Sequence, residues 1–268
     1  MLRFAAVRKK RQSFPGLALF LCLLLGACSP QEAVTACAAD ISTLEKHRVE
    51  YVVDGDTLHL ADGEKLRLVG INTPELGRDG RSDEPLSRAA RKSLEAEVSF
   101  GLVWLQQAED RRDRHGRLLA YAFNRHGQSI SGRLISQGLG FHVAISPNVA
   151  WAGCLEQAEQ EARAAGEGVW SEPAYRPVAA AALSRSQRGF IRIRDEVTHV
   201  SFKDNGWWLQ LGGKVGVRIG RDDQHLFSRG ELVRLDGHTV EVRGWLVPRD
   251  GDWWMMNLGH PTMLQPAP

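Results

Sequence analysis

The chain has 268 residues, of which 43% are hydrophobic and 25% are charged, an ordinary composition for a globular protein. This length allows one large domain or two smaller ones. The formal net charge is +2, but five positive charges lie near the N-terminus, at Arg3, Arg8, Lys9, Lys10 and Arg11. Without these five the net charge of +2 becomes −3. A uniformly basic nucleic-acid-binding surface is therefore excluded, and any affinity for nucleic acid must come from local arginines.

The N-terminal segment has the pattern of a secretory signal peptide. Its basic residues precede the apolar run 17–25, which is too short to span a bilayer as a helix. The run ends in Leu25-Gly26-Ala27-Cys28, which resembles the lipobox of bacterial lipoproteins. This resemblance implies a signal peptide over 1–27 and a lipid on Cys28, which would become the new N-terminus.

The residue after Cys28 is Ser29, which implies sorting to the outer membrane of a Gram-negative bacterium. A lipid anchor would then attach the protein to the membrane. The alternative is ordinary signal cleavage after Ala27 or near Ala36, which would give a periplasmic or secreted protein.

Only Cys37 and Cys154 would remain as unmodified cysteines after this processing, because Cys22 lies in the leader. An isolated pair in an oxidising compartment is most simply a disulfide. Two free, buried thiols are the alternative. The cysteine spacing of a zinc site is absent from the sequence.

The segment 52–75 gathers carboxylates and an arginine on one predicted hairpin. Asp54-Gly55-Asp56-Thr57 lies at the end of a strand, and Asp62-Gly63 predicts a hairpin turn. The returning strand places Arg67 among apolar neighbours and ends in Asn72-Thr73-Pro74-Glu75. By itself, Asp54-Gly55-Asp56-Thr57 is more typical of a turn than of a functional site.

A later segment, 110–121, reads DRRDRHGRLLAY and places Arg117 after a turn at Gly116. The combined pattern resembles the staphylococcal nuclease (thermonuclease-like) family, with DGDT, R-L-x-G-I, TPE and D-x-x-G-R-x-x-A-Y in the family's order over about 49–170. This resemblance implies a five-stranded oligonucleotide/oligosaccharide-binding (OB) barrel with three helices. It also implies hydrolysis of phosphodiester bonds in DNA or RNA, typically with Ca²⁺.

The resemblance assigns roles that make chemical sense. Asp56 would bind the metal together with the carbonyl oxygen of Thr73, as suits a hard cation with oxygen ligands. Glu75 would position or deprotonate the attacking water. Arg67 and Arg117 would grip the scissile phosphate, because a guanidinium donates two parallel hydrogen bonds and stays charged.

Asp54 and Asp113 would shape the metal loop and the arginine-bearing turn, respectively.

One departure from the family pattern concerns Asn72, which stands where well-known members have a second metal-binding aspartate. An amide oxygen can still bind Ca²⁺ but brings no charge, so we expect weaker metal binding. The tyrosines that help to cradle the nucleotide in some members are absent from 141–147.

Three helices follow from apolar periodicity in this region. Pro85 suits the first turn of a helix over 86–94, and 130–135 predicts a short second helix. Asn148 is a candidate cap for a longer helix that ends by Gly166.

The sequence changes character after a linker over 176–188. Short β-rich runs separated by turn signals predict a small all-β domain, for which an OB-like barrel is one option. The predicted strands are 190–194, 198–202, 207–211, 214–219, 240–246 and 253–257. The paired tryptophans Trp207, Trp208, Trp253 and Trp254 could stack on bases, although one core face and one surface face is the more usual arrangement. The predicted organisation is a signal peptide (1–27), a tether (28–47), a thermonuclease-like domain (48–175), the linker (176–188) and the β-rich domain (189–268).

The sequence therefore predicts a membrane-anchored, metal-dependent endonuclease whose partners are DNA or RNA and the membrane. Nothing in it indicates an obligate protein partner. The alternative is a catalytically weak or inactive nucleic-acid-binding envelope lipoprotein, which the uncharged Asn72 would favour.

Overall fold

The computed structural model describes residues 37–267. The predicted signal peptide (1–27) and the lipidation site Cys28 lie outside the described residues. Within 37–267 no helix combines the length and the apolar character needed to cross a membrane.

The first barrel is closed by five strands in the order β1-β2-β3-β6-β5. These strands are β1 (Glu45–Val52), β2 (Thr57–Leu60), β3 (Lys65–Leu68), β5 (Leu102–Arg112) and β6 (Leu118–Phe123). A separate ribbon pairs β4 (Ile71–Asn72) with β7 (Phe141–His142). The helices are α1 (Ser87–Glu97), α2 (Ile130–Ser136) and α3 (Ala152–Ala165). The predicted five-stranded barrel with three helices is thus confirmed.

Side chains that alternate between the two faces of each strand explain how this barrel fills its core. Leu58 and Leu60 on β2 and Leu66 and Leu68 on β3 are all buried, and the helices add Leu94, Leu134 and Leu155. Residues that point away from this core reach solvent or the site, among them Arg67 between its two buried leucines.

A second barrel follows in the chain and has the same connectivity. Its strands are β8 (Gly189–Lys203), β9 (Gly206–Leu211), β10 (Val215–Ile219), β11 (Thr239–Arg249) and β12 (Trp253–Asn257), with β13 (Leu264–Pro266) on the outer side of β11. The pairings β8–β9, β9–β10, β10–β12, β12–β11 and β11–β8 form a ring. The parallel pair β10–β12 corresponds to the parallel pair β3–β6 of the first barrel. The predicted all-β C-terminal region is therefore confirmed as barrel-like.

One strand prediction for this region was wrong, and one helix was not predicted. The runs 190–194 and 198–202 form one strand, β8, which stays continuous through an irregularity in its pairing between Val197 and His199. A helix that the sequence did not predict, α4 (Arg229–Arg234), begins at Ser228, whose hydroxyl accepts a hydrogen bond from the Glu231 amide.

The third helix begins later than the sequence predicted. Trp151, rather than Asn148, precedes α3. The Asn148 side chain instead bonds to the backbone of Asp110, accepting from its amide at 2.9 Å and donating to its carbonyl at 3.1 Å. It therefore fixes the end of β5 and not a helix.

Short 3₁₀ helices complete the structure, at Ile41–Thr43, Gly168–Trp170, Pro173–Tyr175, Ala180–Ala182, Gln224–Leu226 and Pro261–Met263. Part of the expected N-terminal tether packs on the first barrel, since Ala38 pairs with Gln128. Cys37 is fully buried and forms a disulfide with Cys154 on α3. The bond ties this segment to the helix across 117 residues of sequence.

Buried charges join the two barrels. Arg243 on β11 donates to the carbonyl of His142 at 3.0 Å and lies 2.5 Å from Glu159 on α3. Glu241, also on β11, is bound by Arg163 of α3 at 2.9 Å and by Arg192 of β8 at 2.8 Å. Because these groups are shielded from water, their separation would be costly, and the barrels are held together as one unit.

Candidate active site

The loop between β1 and β2 forms the floor of the candidate site. Asp56 is buried, and its Oδ2 atom accepts hydrogen bonds from the amide of Thr73 at 3.0 Å and from its hydroxyl at 3.2 Å. Asp54 accepts from the amide of Asp56 at 3.2 Å. A side chain at Gly55 would come within 2.6 Å of Ala90 and 2.7 Å of Thr73, so only glycine lets this loop approach α1 and the 72–75 segment.

Arg67 reaches from β3 into the same group of residues. One guanidinium nitrogen donates to the carbonyls of Leu68 and Ile71. The other lies 3.0 Å from the Asp56 carboxylate and 3.4 Å from the Asn72 amide oxygen. The hairpin thus brings together Asp56, Arg67, Asn72 and Thr73, four of the residues singled out in the sequence.

Glu75 lies in the extended segment after β4, and its amide donates to Glu84 at 2.9 Å. The loss of water around its carboxylate, followed by the negative charges of Asp56 and Asp54, raises the pKa of Glu75 to about 7. Burial and the charge of Asp56 likewise raise the pKa of Asp54. Besides the loss of water, three carboxylates, those of Asp56, Asp54 and Glu84, raise the pKa of Glu75, and the one guanidinium of Arg67 opposes them.

Arg117 occupies the turn before β6. Asp113 accepts from the Arg117 backbone amide at 3.0 Å, from its side chain at 2.7 Å and from the His115 amide at 2.8 Å. Burial acts to raise the pKa of Asp113, but these hydrogen bonds outweigh it and lower the pKa. Asp113 thus stays ionised and orients Arg117.

Arg117 and Arg67 line one cleft because β6 runs parallel to β3. Arg117 contacts Asp113 and not the Asp56 carboxylate in the described residues. The two arginines therefore approach a ligand from different elements of the barrel.

The donor set of this site fits a hard cation. In the described range 37–267, no three His, Cys, Asp or Glu side chains are clustered closely enough to bind a metal by themselves. Oxygen atoms of Asp56, Asn72 and Thr73 nevertheless lie together, since the Asp56 carboxylate and the Asn72 amide oxygen face the same Arg67 nitrogen and the Thr73 hydroxyl lies 3.2 Å from Asp56. Ca²⁺ takes such mixed carboxylate, amide and carbonyl oxygens together with water.

The sequence places the polar loop 78–81 near the site without assigning Arg78 a partner, and it leaves two alternatives open for the tryptophan pairs. Arg78, which follows the TPE motif, lies 3.3 Å from Asp54. Trp207 and Trp254 are buried in the second core and cannot stack on bases, so each pair has one core residue, as the more usual alternative predicted. Their neighbours Trp208 and Trp253 close over Gly216, where a side chain would come within 3.0 Å of Trp253.

Comparisons with known proteins agree with this geometry. Residues 65–172 match the model of the family described as "Staphylococcal nuclease homologue". The chain is 30% identical to a thermonuclease of Staphylococcus intermedius over 129 residues. This matching stretch covers 47% of this chain and 76% of that protein. The chain belongs to the staphylococcal nuclease family.

Other members of the family are similar over a comparable stretch. Endonuclease YncB of Bacillus subtilis strain 168 is 29% identical over 150 residues, or 54% of this chain and 71% of that protein. The SPbeta prophage-derived endonuclease YokF of the same strain is 30% identical over 132 residues, or 47% of this chain and 44% of that protein. The second barrel lies beyond the residues that match the family model.

Proposed function

We propose that this chain is a metal-dependent endonuclease that hydrolyses phosphodiester bonds of DNA or RNA. The observation that carries the proposal is geometric, because Arg67 lies 3.0 Å from the Asp56 carboxylate and 3.4 Å from the Asn72 amide oxygen. Glu75 follows this group in the chain, and the loss of water around its carboxylate raises its pKa to about 7 in the metal-free protein. A base with a pKa near neutrality is the most effective proton acceptor at physiological pH. Membership of a family with thermonucleases and endonucleases supports the same reaction.

In the proposed mechanism, Glu75 accepts a proton from the water that attacks the phosphorus atom. Arg67 and Arg117 donate hydrogen bonds to the non-bridging oxygens and offset the charge that grows in the five-coordinate transition state. Asp113 holds the guanidinium of Arg117 in place through a 2.7 Å contact. The P–O bond to the leaving oxygen then breaks, and this oxygen takes up a proton from solvent water.

Asp56, Asn72 and Thr73 are the residues that would hold Ca²⁺. When bound, the ion would supply positive charge at the phosphate and lower the pKa of a bound water. It would also replace the charge that the cluster around Glu75 lacks.

The test compares cleavage of a labelled oligonucleotide by the parent protein and by Glu75→Gln, with Ca²⁺ and with a chelator. We expect Glu75→Gln to lower kcat by about 10²- to 10⁴-fold, the usual contribution of a general base, while KM changes little. Glu50→Gln, an exposed change on β1, is the matched control. Equal activity of the two variants, or full activity in chelator, would refute the mechanism.

Asn72 favours a second candidate, a nucleic-acid-binding protein with little or no catalysis, because it removes a charge from the metal site. The same experiment separates the two candidates. Oligonucleotide binding without cleavage at any Ca²⁺ concentration would support the binding protein.

We further propose that the mature protein is anchored by a lipid on Cys28 in the outer membrane of a Gram-negative bacterium. The Leu25-Gly26-Ala27-Cys28 motif after a basic and apolar leader supports this location. Cys28→Ala should abolish incorporation of labelled fatty acid and release the protein from membranes. A variant that stays acylated and membrane-bound would refute the proposal.

A further inference from the structure

A cleft of about 1620 Å³ lies between the two barrels. The first barrel contributes Arg67 and Arg117, and the second contributes Arg188, Arg218 and Arg221. Pockets for small molecules typically measure about 300–1,000 Å³, so this cleft has room for a larger ligand. The two proposed phosphate-binding arginines therefore open onto a surface that the second barrel completes.

The charges in the cleft are unevenly balanced. Seven arginines and four aspartates line it. On the first barrel, Arg67, Arg112 and Arg117 are paired with carboxylates. On the second barrel, in the described residues, Arg188, Arg218 and Arg221 lie within 4.0 Å of no carboxylate oxygen. The second wall thus offers positive charge that no ion pair neutralises.

Two of these arginines are held in place by backbone oxygens. Arg218 donates to the carbonyl of Asn205 at 3.2 and 2.8 Å, and Arg221 donates to the carbonyl of Asp204. A carbonyl fixes the direction of a guanidinium without cancelling its charge. Asp222 and Asp223 are acidic neighbours in the cleft, but burial and the charge of Asp222 raise the pKa of Asp223.

The shared connectivity of the barrels gives Arg218 a counterpart. Arg67 and Arg218 each lie on the third strand of their barrel, between two buried apolar residues. Each also bonds to the connection between the first and second strands, Arg67 through Asp56 and Arg218 through Asn205. The second barrel therefore carries a guanidinium at the corresponding place, with a carbonyl where the first barrel has a carboxylate.

The cleft also exposes apolar surface. Trp245 on β11 is 39% exposed and packs edge-on against Phe190 at 5.2 Å. Ile145 and Val247 are 55% and 41% exposed and line the same cleft. Arginines that track a backbone, next to an exposed aromatic ring, are the features that bind single-stranded nucleic acid.

We propose that the second barrel binds the single-stranded part of the substrate that extends from the scissile phosphate. Arg188, Arg218 and Arg221 would bind its phosphates, and Trp245 would contact a base. This inference rests on the proposed nuclease function and adds to it a preference for long, unpaired strands.

The test uses Arg188→Gln/Arg218→Gln/Arg221→Gln in the complete protein. Its control is Arg185→Gln/Arg234→Gln/Arg249→Gln, which removes the same charge from exposed residues of the C-terminal region outside the cleft. We expect the cleft variant to raise KM roughly tenfold or more for a strand of about 12 nucleotides, a length within the usual site size, while kcat is kept. KM for a dinucleotide should not change. The slope of log K against log salt should fall by about 2, or about 0.7 for each lost phosphate contact.

Binding is measured separately from cleavage, by fluorescence anisotropy of the labelled strand in a Glu75→Gln background. Weaker binding by the cleft variant supports the inference even if the parent protein cleaves nothing. An absence of cleavage would reject only the nuclease function. Equal binding by the cleft and control variants, with both folded by circular dichroism, would overturn the inference.

Trp245→Leu provides an independent check that keeps the arginines intact. We expect several-fold weaker binding of the single strand and unchanged binding of duplex DNA, because only unpaired bases can stack. Equal losses for single strand and duplex would overturn the role of Trp245.

Discussion

The two barrels share one strand order but differ in how many guanidiniums surround their buried carboxylates. In the first barrel, Asp54, Asp56 and Glu75 lie near one well-buried guanidinium, Arg67, and the pKa of Glu75 rises to about 7. In the second, the single carboxylate of Glu241 is bound by three arginines, Arg163, Arg192 and Arg194. Burial acts to raise the pKa of Glu241, but these arginines outweigh it and lower the pKa.

This difference distinguishes the proposed active site from a cluster with a structural role. The Glu241 cluster satisfies its charges within the protein and holds the barrels together. The Glu75 cluster leaves negative charge unbalanced, which suits a site that is completed by a cation and a substrate. The same fold thus supports both, and the ratio of carboxylates to guanidiniums distinguishes them.

The largest effect is expected when the balanced cluster is broken. Glu241→Gln would leave buried Arg192 without its carboxylate, and we expect the free energy of unfolding to fall by about 3–5 kcal/mol. Urea denaturation measures the change, and Glu196→Gln, an exposed change on β8, is the control. If both variants lowered the free energy of unfolding by the same small amount, the Glu241 cluster would not stabilise the contact between the two barrels.

A second prediction concerns pH, and the two clusters should respond with opposite signs. Because the folded pKa of Glu75 is raised from 4.5 to about 7, the folded state binds a proton more tightly than the unfolded state. Stability should therefore fall as pH rises from about 4.5 to about 7 in metal-free protein. The Glu241 contribution is instead lost as pH falls through its lowered pKa.

The measurement is the free energy of unfolding of the metal-free parent, Glu75→Gln and Glu241→Gln proteins, from well below pH 4.5 to about pH 7. Glu75→Gln should remove part of the decline above pH 4.5. Glu241→Gln should instead reduce the loss of unfolding free energy at acid pH. A Glu75→Gln profile parallel to that of the parent would contradict the unbalanced charge at the site.

The smallest effect is expected from Asn72→Asp, which adds a charged oxygen to the proposed metal site. We expect Ca²⁺ affinity to increase about tenfold, because the added negative charge attracts the cation. Isothermal titration calorimetry measures the affinity. Asn257→Asp adds the same charge on exposed β12, and an equal gain there would show only a long-range effect.

The site could be predicted from the sequence to the extent that it is local. Asp56, Arg67 and Glu75 lie within one hairpin and its continuation, so their spacing carries the information. Arg117 was found because its turn has its own motif. The proposed metal-binding, catalytic and lipidation roles remain predictions.

Other features depend on contacts between distant parts of the chain. Arg218 reaches the cleft only because the second barrel packs on the first, and Glu241 meets Arg163 across 78 residues of sequence. The same applies to Trp245, whose exposure at the cleft carries no sequence signal that distinguishes it from the buried Trp254. The continuous strand β8 was divided in two because its apolar pattern shifts at the irregularity near Val197.

The ribbon that pairs β4 with β7 has a consequence for modularity. Asn72 is paired with Phe141, and Phe141 packs against Phe190 of the second barrel at 5.4 Å. The neighbouring His142 bonds to both Thr262 and Arg243 of that barrel. A truncation after the family-matching residues would therefore remove contacts that support the strand carrying Asn72, a proposed metal ligand. We therefore expect the family-matching segment to need the C-terminal barrel to hold Asn72 in position.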